Sequence, residues 1–296
     1  MKYMQSFINR LIAATLLLTA VVTVPAAIAE TSVFKVSKGE NSTYLLGTFH
    51  LLNASDHPLP AEFQQAYNAA SSIYFEADLQ AAQSPEFQMK FFKAISAPSG
   101  STLQTLIKPE TYMALEAFMA KKQMLITNFA PFSPAGSALM LTMAEYQKLG
   151  MMPEYGVDQF FFSRAQGDGK TIGHLETIDE QLSFIANLGK GQEDEMIMST
   201  ITELNTLEKS VGDLKKAWRN GNSKQLDKIS LKEMREKFPD TYAEMIVNRN
   251  NKWMPEIEAM LADKPTEAVM VGALHLVGPD GLIELLKKKG YKVTQL

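Results

Sequence analysis

The stretches TYLLGTFHLL (residues 43–52) and EAVMVGALHLVG (residues 267–278) each run apolar and strand-like up to a glycine, then present a histidine three residues later. The pairs are Gly47 with His50 and Gly272 with His275. In open α/β sheets ligands gather beyond the carboxyl ends of strands, so the two imidazoles are expected to meet in one crevice. A glycine ahead of each ring lets the backbone bend or a ligand approach closely. Acidic side chains hold equivalent places: Glu76 closes IYFE and Glu176 follows IGHL. A carboxylate ending an apolar strand needs a partner, which makes Glu76 a candidate. Glu176 has a competing role as a negative charge at a helix start. His174 is a further candidate by position, while His57, in NASDHPLP, reads as loop surface.

Two imidazoles with one or two carboxylates at a sheet edge suit hydrolysis. They can hold a divalent metal that acidifies water, or one histidine can act as general base with a carboxylate orienting it. The spacing leaves both routes open. The chain has no cysteine, so any metal ligand is His, Asp, Glu or water. Such nitrogen and oxygen donors tolerate manganese or cobalt as well as zinc.

The compartment follows from the start of the chain. Lys2 and Arg10 form a basic segment, Leu11 to Val24 an apolar one, and Ala27-Ile28-Ala29 a small-residue cleavage site. Residues 1–29 are therefore expected to be a signal peptide, and the mature protein, starting at Glu30, to be periplasmic or secreted. The apolar segment is shorter than the roughly 20 residues that span a bilayer, so no membrane span is expected after cleavage. Removing it leaves 27 basic against 33 acidic side chains, a net charge of −6. That balance argues against nucleic acid as a partner.

The elements that must carry these residues read as an α/β domain over 30–296, with a mixed or largely parallel sheet covered by many helices. SVFKVSKGENSTYLLGTFH predicts a hairpin turning at Lys38-Gly39-Glu40-Asn41, and SSIYFEADL a short strand ending near Glu76. Residues 85–166 predict a large helical insert broken at APSGS, TNFAPFSPAGS and LGMMPEYG. KTIGHL predicts a strand over 170–175, and Thr177 with Glu180 a capping box that starts a helix at Ile178. A helical segment over 178–261 follows, with breaks expected at LGKGQ, SVGD, RNGNS and KFPD. The chain closes with strand EAVMVGA, a helix after Gly278-Pro279 that ends at Gly290, and strand YKVTQ. Lys287, Lys288 and Lys289 then complement that helix's dipole.

YLLGTFHLL, IYFEADL, YGVDQFFFSRAQGDGKTIGHLETIDEQL, NRNNKW and GALHLVGPDGLIELLKKKGYKV together resemble, in order and spacing, the TraB/GumN family, which includes the Tiki proteases. The resemblance spans nearly all of the mature chain. It implies a fold similar to that of the erythromycin esterase and haem-binding ChaN proteins, and a metal-dependent peptidase acting on a peptide or protein. Carried onto this sequence, it places Gly47 with His50, Glu76, and Gly272 with His275 in the active site. It also implies that Arg249 and Asn250, in NRNNKW, bind a substrate carboxylate or stabilise an oxyanion; read without it, Arg249 is a helix-end cation. At His174 this chain departs from the family, where glycine usually precedes Leu-Glu-Thr, so a narrower pocket or an added ligand is expected there. The alternative is a binding protein that sequesters a peptide or tetrapyrrole without chemistry.

Overall fold

The structure, a computed structural model, describes residues 30–296, so the signal-peptide reading of 1–29 lies outside the described residues. Six strands form one sheet: β1 (Val33–Lys38), β2 (Asn41–Thr48), β3 (Ser72–Ala77), β4 (Thr171–Glu176), β5 (Glu267–Gly272) and β6 (Lys292–Gln295). Their order is β4-β3-β5-β2-β1-β6. β4, β3, β5 and β2 are mutually parallel, and β1 runs antiparallel to both β2 and β6. The expected mixed, largely parallel sheet is what forms. Ala268, Val269, Met270 and Val271 are fully buried in β5, as befits a central parallel strand covered on both faces. The β1–β2 hairpin turns where expected, pairing Lys38 with Asn41 across Gly39 at φ 63°.

β5 comes from the end of the chain and pairs between β2 and β3. This insertion brings the second Gly-x-x-His segment beside the first, with Thr48 opposite Gly272, while Ala77 lies opposite Glu176. All four parallel strands therefore end along one edge.

The covering helices are α1 (Ala61–Ala69), α2 (Pro85–Ile95), α3 (Pro109–Lys121), α4 (Pro134–Lys148), α5 (Val157–Asp168), α6 (Ile178–Asn187), α7 (Glu193–Asn205), α8 (Leu207–Arg219), α9 (Asn248–Met260) and α10 (Leu282–Lys288), with shorter helical turns between them. α6 begins at Ile178 on its capping box, the Thr177 hydroxyl accepting from the Glu180 N–H and Glu180 accepting from the Thr177 N–H. One expected break is absent. Ser210-Val211-Gly212-Asp213 lies inside α8, where Gly212 faces solvent and Val211, Ala217 and Trp218 keep the helical period of burial. The break at TNFAPFSPAGS falls at residues 130–133; Pro134-Ala135-Gly136-Ser137 then forms the first turn of α4, capped by Ser133, and Gly136 is there because any Cβ would strike the Ile95 carbonyl.

One hydrophobic core packs both faces of the sheet and includes Trp218 and Trp253. A second joins α3 and α4 to α7, through residues such as Phe118, Leu141, Ile197 and Leu204. Residues from 85–166 thus share a core with helices that follow β4.

Candidate functional site

At the shared strand edge, β2 delivers His50, β3 Glu76, β4 Glu176, and β5 leads into the turn Ala273–Leu276 that carries His275. The two glycines before the histidines have different reasons. Gly47 is buried, and a Cβ on it would lie 3.1 Å from Ala273 Cα and Leu276 Cδ1. It lets the two histidine corners pack together, so the expected contact with substrate gives way to a packing role. Gly272 faces the site itself: its Cβ would sit 3.2 Å from Glu76 Oε1, 3.6 Å from His50 Nε2 and 3.8 Å from His275 Cδ2. The missing side chain leaves a small space bordered by all three candidates.

Each imidazole is held at its Nδ1. His50 Nδ1–H donates to Asp158 Oδ2 at 2.8 Å, and the Thr48 hydroxyl donates to the other oxygen of Asp158 at 2.9 Å. Asp158 stands in the first turn of α5, whose approach is fixed by backbone pairing on either side of His50. Leu52 bridges Met152, and the Val157 N–H donates to the Phe49 carbonyl. Gly156 makes that approach possible, because a side chain there would meet the His50 carbonyl. His275 Nδ1–H donates to Asn250 Oδ1 at 2.8 Å, and Asn250 Nδ2 donates to the carbonyls of His275 and Asp280. Asn250 is wholly buried with both polar atoms engaged, so it holds His275 in place of the substrate contact that was expected. His50 Nε2 is left for the crevice, whereas His275 Nε2 is met by Arg249; in metal sites a second group fixes each histidine's tautomer in the same way.

Arg249 ties the cluster together. Its Nε and Nη2 donate to Glu176 at 2.8 and 3.0 Å, Nη2 donates to Glu76 Oε2 at 2.8 Å, and Nη1 donates to His275 Nε2 at 3.0 Å. The guanidinium lies 4.8 Å from the Trp253 ring, whose Nε1–H donates to Glu176 Oε1 and whose face packs on His275. The reading of Arg249 as a helix-end cation is therefore replaced by a half-buried ion pair shared between two buried carboxylates. Glu176 takes no part in capping α6. His174 is exposed on the edge strand β4 and makes no hydrogen bond to the cluster among the described residues. His57 is half-buried, with Nε2 on the Tyr155 carbonyl.

The environments drive the two histidines apart. His50 is largely exposed, and Asp158 raises it from 6.5 to about 9, with further help from Glu76. Burial lowers His275 to about 3 against the pull of Glu76, and Arg249 and His50 lower it further. Burial alone would raise Glu76, but the positive charges of His275, Arg249 and His50 and the Gly272 N–H hold it well below the usual carboxylate range. At neutral pH His275 is uncharged, so Arg249 carries most of that attraction.

The donor set fits a divalent ion in kind. His275 Nε2 and Glu76 Oε1 are 3.9 Å apart, wider than the roughly 3.3 Å between two ligands set tetrahedrally about 2 Å from one metal. Among the described residues no group of three or more acidic or imidazole side chains is placed to hold a metal ion. In this arrangement Arg249 Nη1 takes the lone pair of His275 that an ion would use.

A model of the TraB/PrgY/gumN family matches residues 32–295, nearly the whole described chain. The chain belongs to that family. Among TraB/PrgY/gumN relatives it is 24% identical over 255 residues to the uncharacterized protein YbaP of Shigella flexneri, covering 84% of this chain and 89% of YbaP. YbaP of Escherichia coli (strain K12) matches to the same extent. The chain is also 21% identical over 314 residues to metalloprotease TIKI1 of Danio rerio, covering 86% of this chain and 61% of TIKI1. No solved structure matches. Family membership and distant similarity to proteins named metalloproteases put a hydrolase within the family's range.

Three contributors went unnamed in the sequence reading: Thr48, Asp158 and Trp253. Asp158 and Trp253 lie within the family-like segments YGVDQF and NRNNKW. Trp253 also carries a signal of its own, being four residues after Arg249 and so on the same helical face.

Proposed function

We propose that this protein is a periplasmic or secreted metal-dependent hydrolase that cuts peptide bonds, with His50, Glu76 and His275 as ligands of a divalent ion. The observation that carries the reading is the convergence of His50 Nε2, the edge of the His275 ring and the Glu76 carboxylate on the space beside Gly272. A bound ion would acidify water and polarise the scissile carbonyl. His275, uncharged down to about pH 3, is a weak proton acceptor at neutral pH, and its Nε2 lone pair, held by Arg249 in this structure, is the one a metal would take in exchange. This favours ligation over direct base catalysis by that ring. Asp158 and Asn250 hold the two rings in register, and Glu176 with Trp253 holds Arg249. The guanidinium then has one remaining Nη1–H, held in a fixed direction, for a substrate carboxylate or for negative charge growing on the carbonyl oxygen. No helix among the described residues is long and apolar enough to cross a membrane.

The test is to load the protein with manganese or cobalt, incubate it with a mixed peptide library and read new termini by mass spectrometry. Cleavage that a chelator stops and either metal restores is the expected result. Cleavage indifferent to chelation assigns the chemistry to the histidines alone. Peptide that binds without being cut, equally well to His50→Ala and His275→Ala, supports the capture of a peptide or tetrapyrrole instead.

A further inference from the structure

Beside the cluster lie two cavities of about 520 and 550 Å³ that share one wall, formed by Leu188, Gly189, Gln192 and Thr241. The first is lined by Glu176 and Arg249, so it reaches the site from its Arg249 side. Hydroxyl and amide groups recur along it, and its charged walls nearly balance, with four carboxylates against three basic groups. Such a lining suits main-chain N–H and C=O groups and gives no strong field for a polyanion or polycation. The second cavity lies behind the 188–192 turn and is mainly apolar, with Met196, Leu214, Met234, Phe238, Met245 and Leu274 on its walls. All six are half-buried, and Leu274 directly precedes His275. Pockets of a few hundred Å³ with apolar walls are the usual form of a ligand site, and methionines let such walls adapt to their occupant. The neck between the cavities is set by backbone. Gly189 has φ 66°, and a Cβ on it would collide with the Met196 side chain.

We infer that the two cavities form one substrate groove. The main chain of an extended peptide lies along the polar cavity, past Arg249, and a side chain the size of Leu, Met or Phe enters the apolar one. The occupant is a peptide because a small apolar molecule would use only the second cavity and leave its continuity with the catalytic edge without purpose. The inference rests on the hydrolase reading for the bond that is cut, and not for the binding itself.

The experiment is affinity selection from a random octapeptide library by the full exported chain and by His50→Ala, followed by anisotropy titration of an enriched octapeptide. Leu, Met or Phe should be enriched at one fixed position. Met245→Lys, which puts a charge in the cavity, and Met196→Trp, which fills it, should each weaken binding about tenfold or more while thermal unfolding stays cooperative. Replacing the peptide's apolar residue by Ser should weaken binding to the parent equally, with little further loss in the variants. An enriched peptide recovered intact from the metal-loaded parent ends the hydrolase reading and leaves the groove standing. No apolar enrichment, or parent-like affinity in both variants, overturns the groove.

Discussion

Arg249 is the residue whose removal should be felt most. It neutralises Glu76 and Glu176, both buried, and stripping one partner from a buried pair leaves an uncompensated charge. Arg249→Ala should cost about 3–5 kcal/mol in denaturant unfolding. A loss within error of zero would show that the pairs are not formed in solution. The histidines predict opposite pH limbs. His275 has a lowered value, so its contribution is complete above 6.5 and is lost as the pH falls toward about 3, because the unfolded chain takes up a proton that the buried ring refuses. Glu76, also lowered, adds to this loss below about its ordinary 4.5. His50 has a raised value, so its contribution is complete below 6.5 and fades as the pH rises through about 9. Unfolding midpoints of the metal-free protein should therefore decline at both ends, with His275→Gln flattening the acid limb and His50→Gln the alkaline one. Parallel curves for all three proteins would contradict these assignments. The candidate residues on strands were legible because an apolar run that stops at Glu or at Gly-x-x-His is unusual in itself. Arg249 was legible only through family resemblance, since NRNNK is polar throughout and gives no sign of burial.

Among the elements, the docking of α5 decides whether His50 is aimed at all. Asp158 reads in sequence as an acid in a helix's first turn, and nothing local links it to a histidine more than a hundred residues earlier. The link exists because Gly156 lets the chain pass against the His50 carbonyl. Gly156→Ala should push α5 away, costing roughly 1–3 kcal/mol and more activity than Ala substitutions at exposed positions of the same helix. Unchanged unfolding midpoint and turnover would rule out this close approach. α9 makes a similar point. A π-helical stretch, Ala243–Val247, runs directly into it and sets the rotational phase that turns Arg249, Asn250 and Trp253 toward the sheet. A helical segment was readable from the sequence, but that phase was not. The reading of SVGD as a break failed for the converse reason: a solvent-facing glycine costs a helix little when its neighbours keep their burial.

At the scale of the whole molecule, the sheet order makes the site. Alternating strands and helices announced an α/β sheet, whereas the insertion of β5 between β2 and β3 is a long-range pairing that no local pattern records. The proposed export belongs to this scale as well. Intact-mass measurement of the exported protein should give a chain beginning at Glu30, and a species retaining residues 1–29 would contradict the signal-peptide reading. The central claim, that His50 and His275 serve one hydrolytic centre, is tested most directly by kcat/KM on a cleaved peptide for His50→Ala, His275→Ala and the double variant. The account predicts that each single change abolishes turnover while the fold persists, and that the double variant is no worse than either, because the groups act as a unit. Turnover that survives either substitution, or losses that multiply in the double variant, would contradict a shared site.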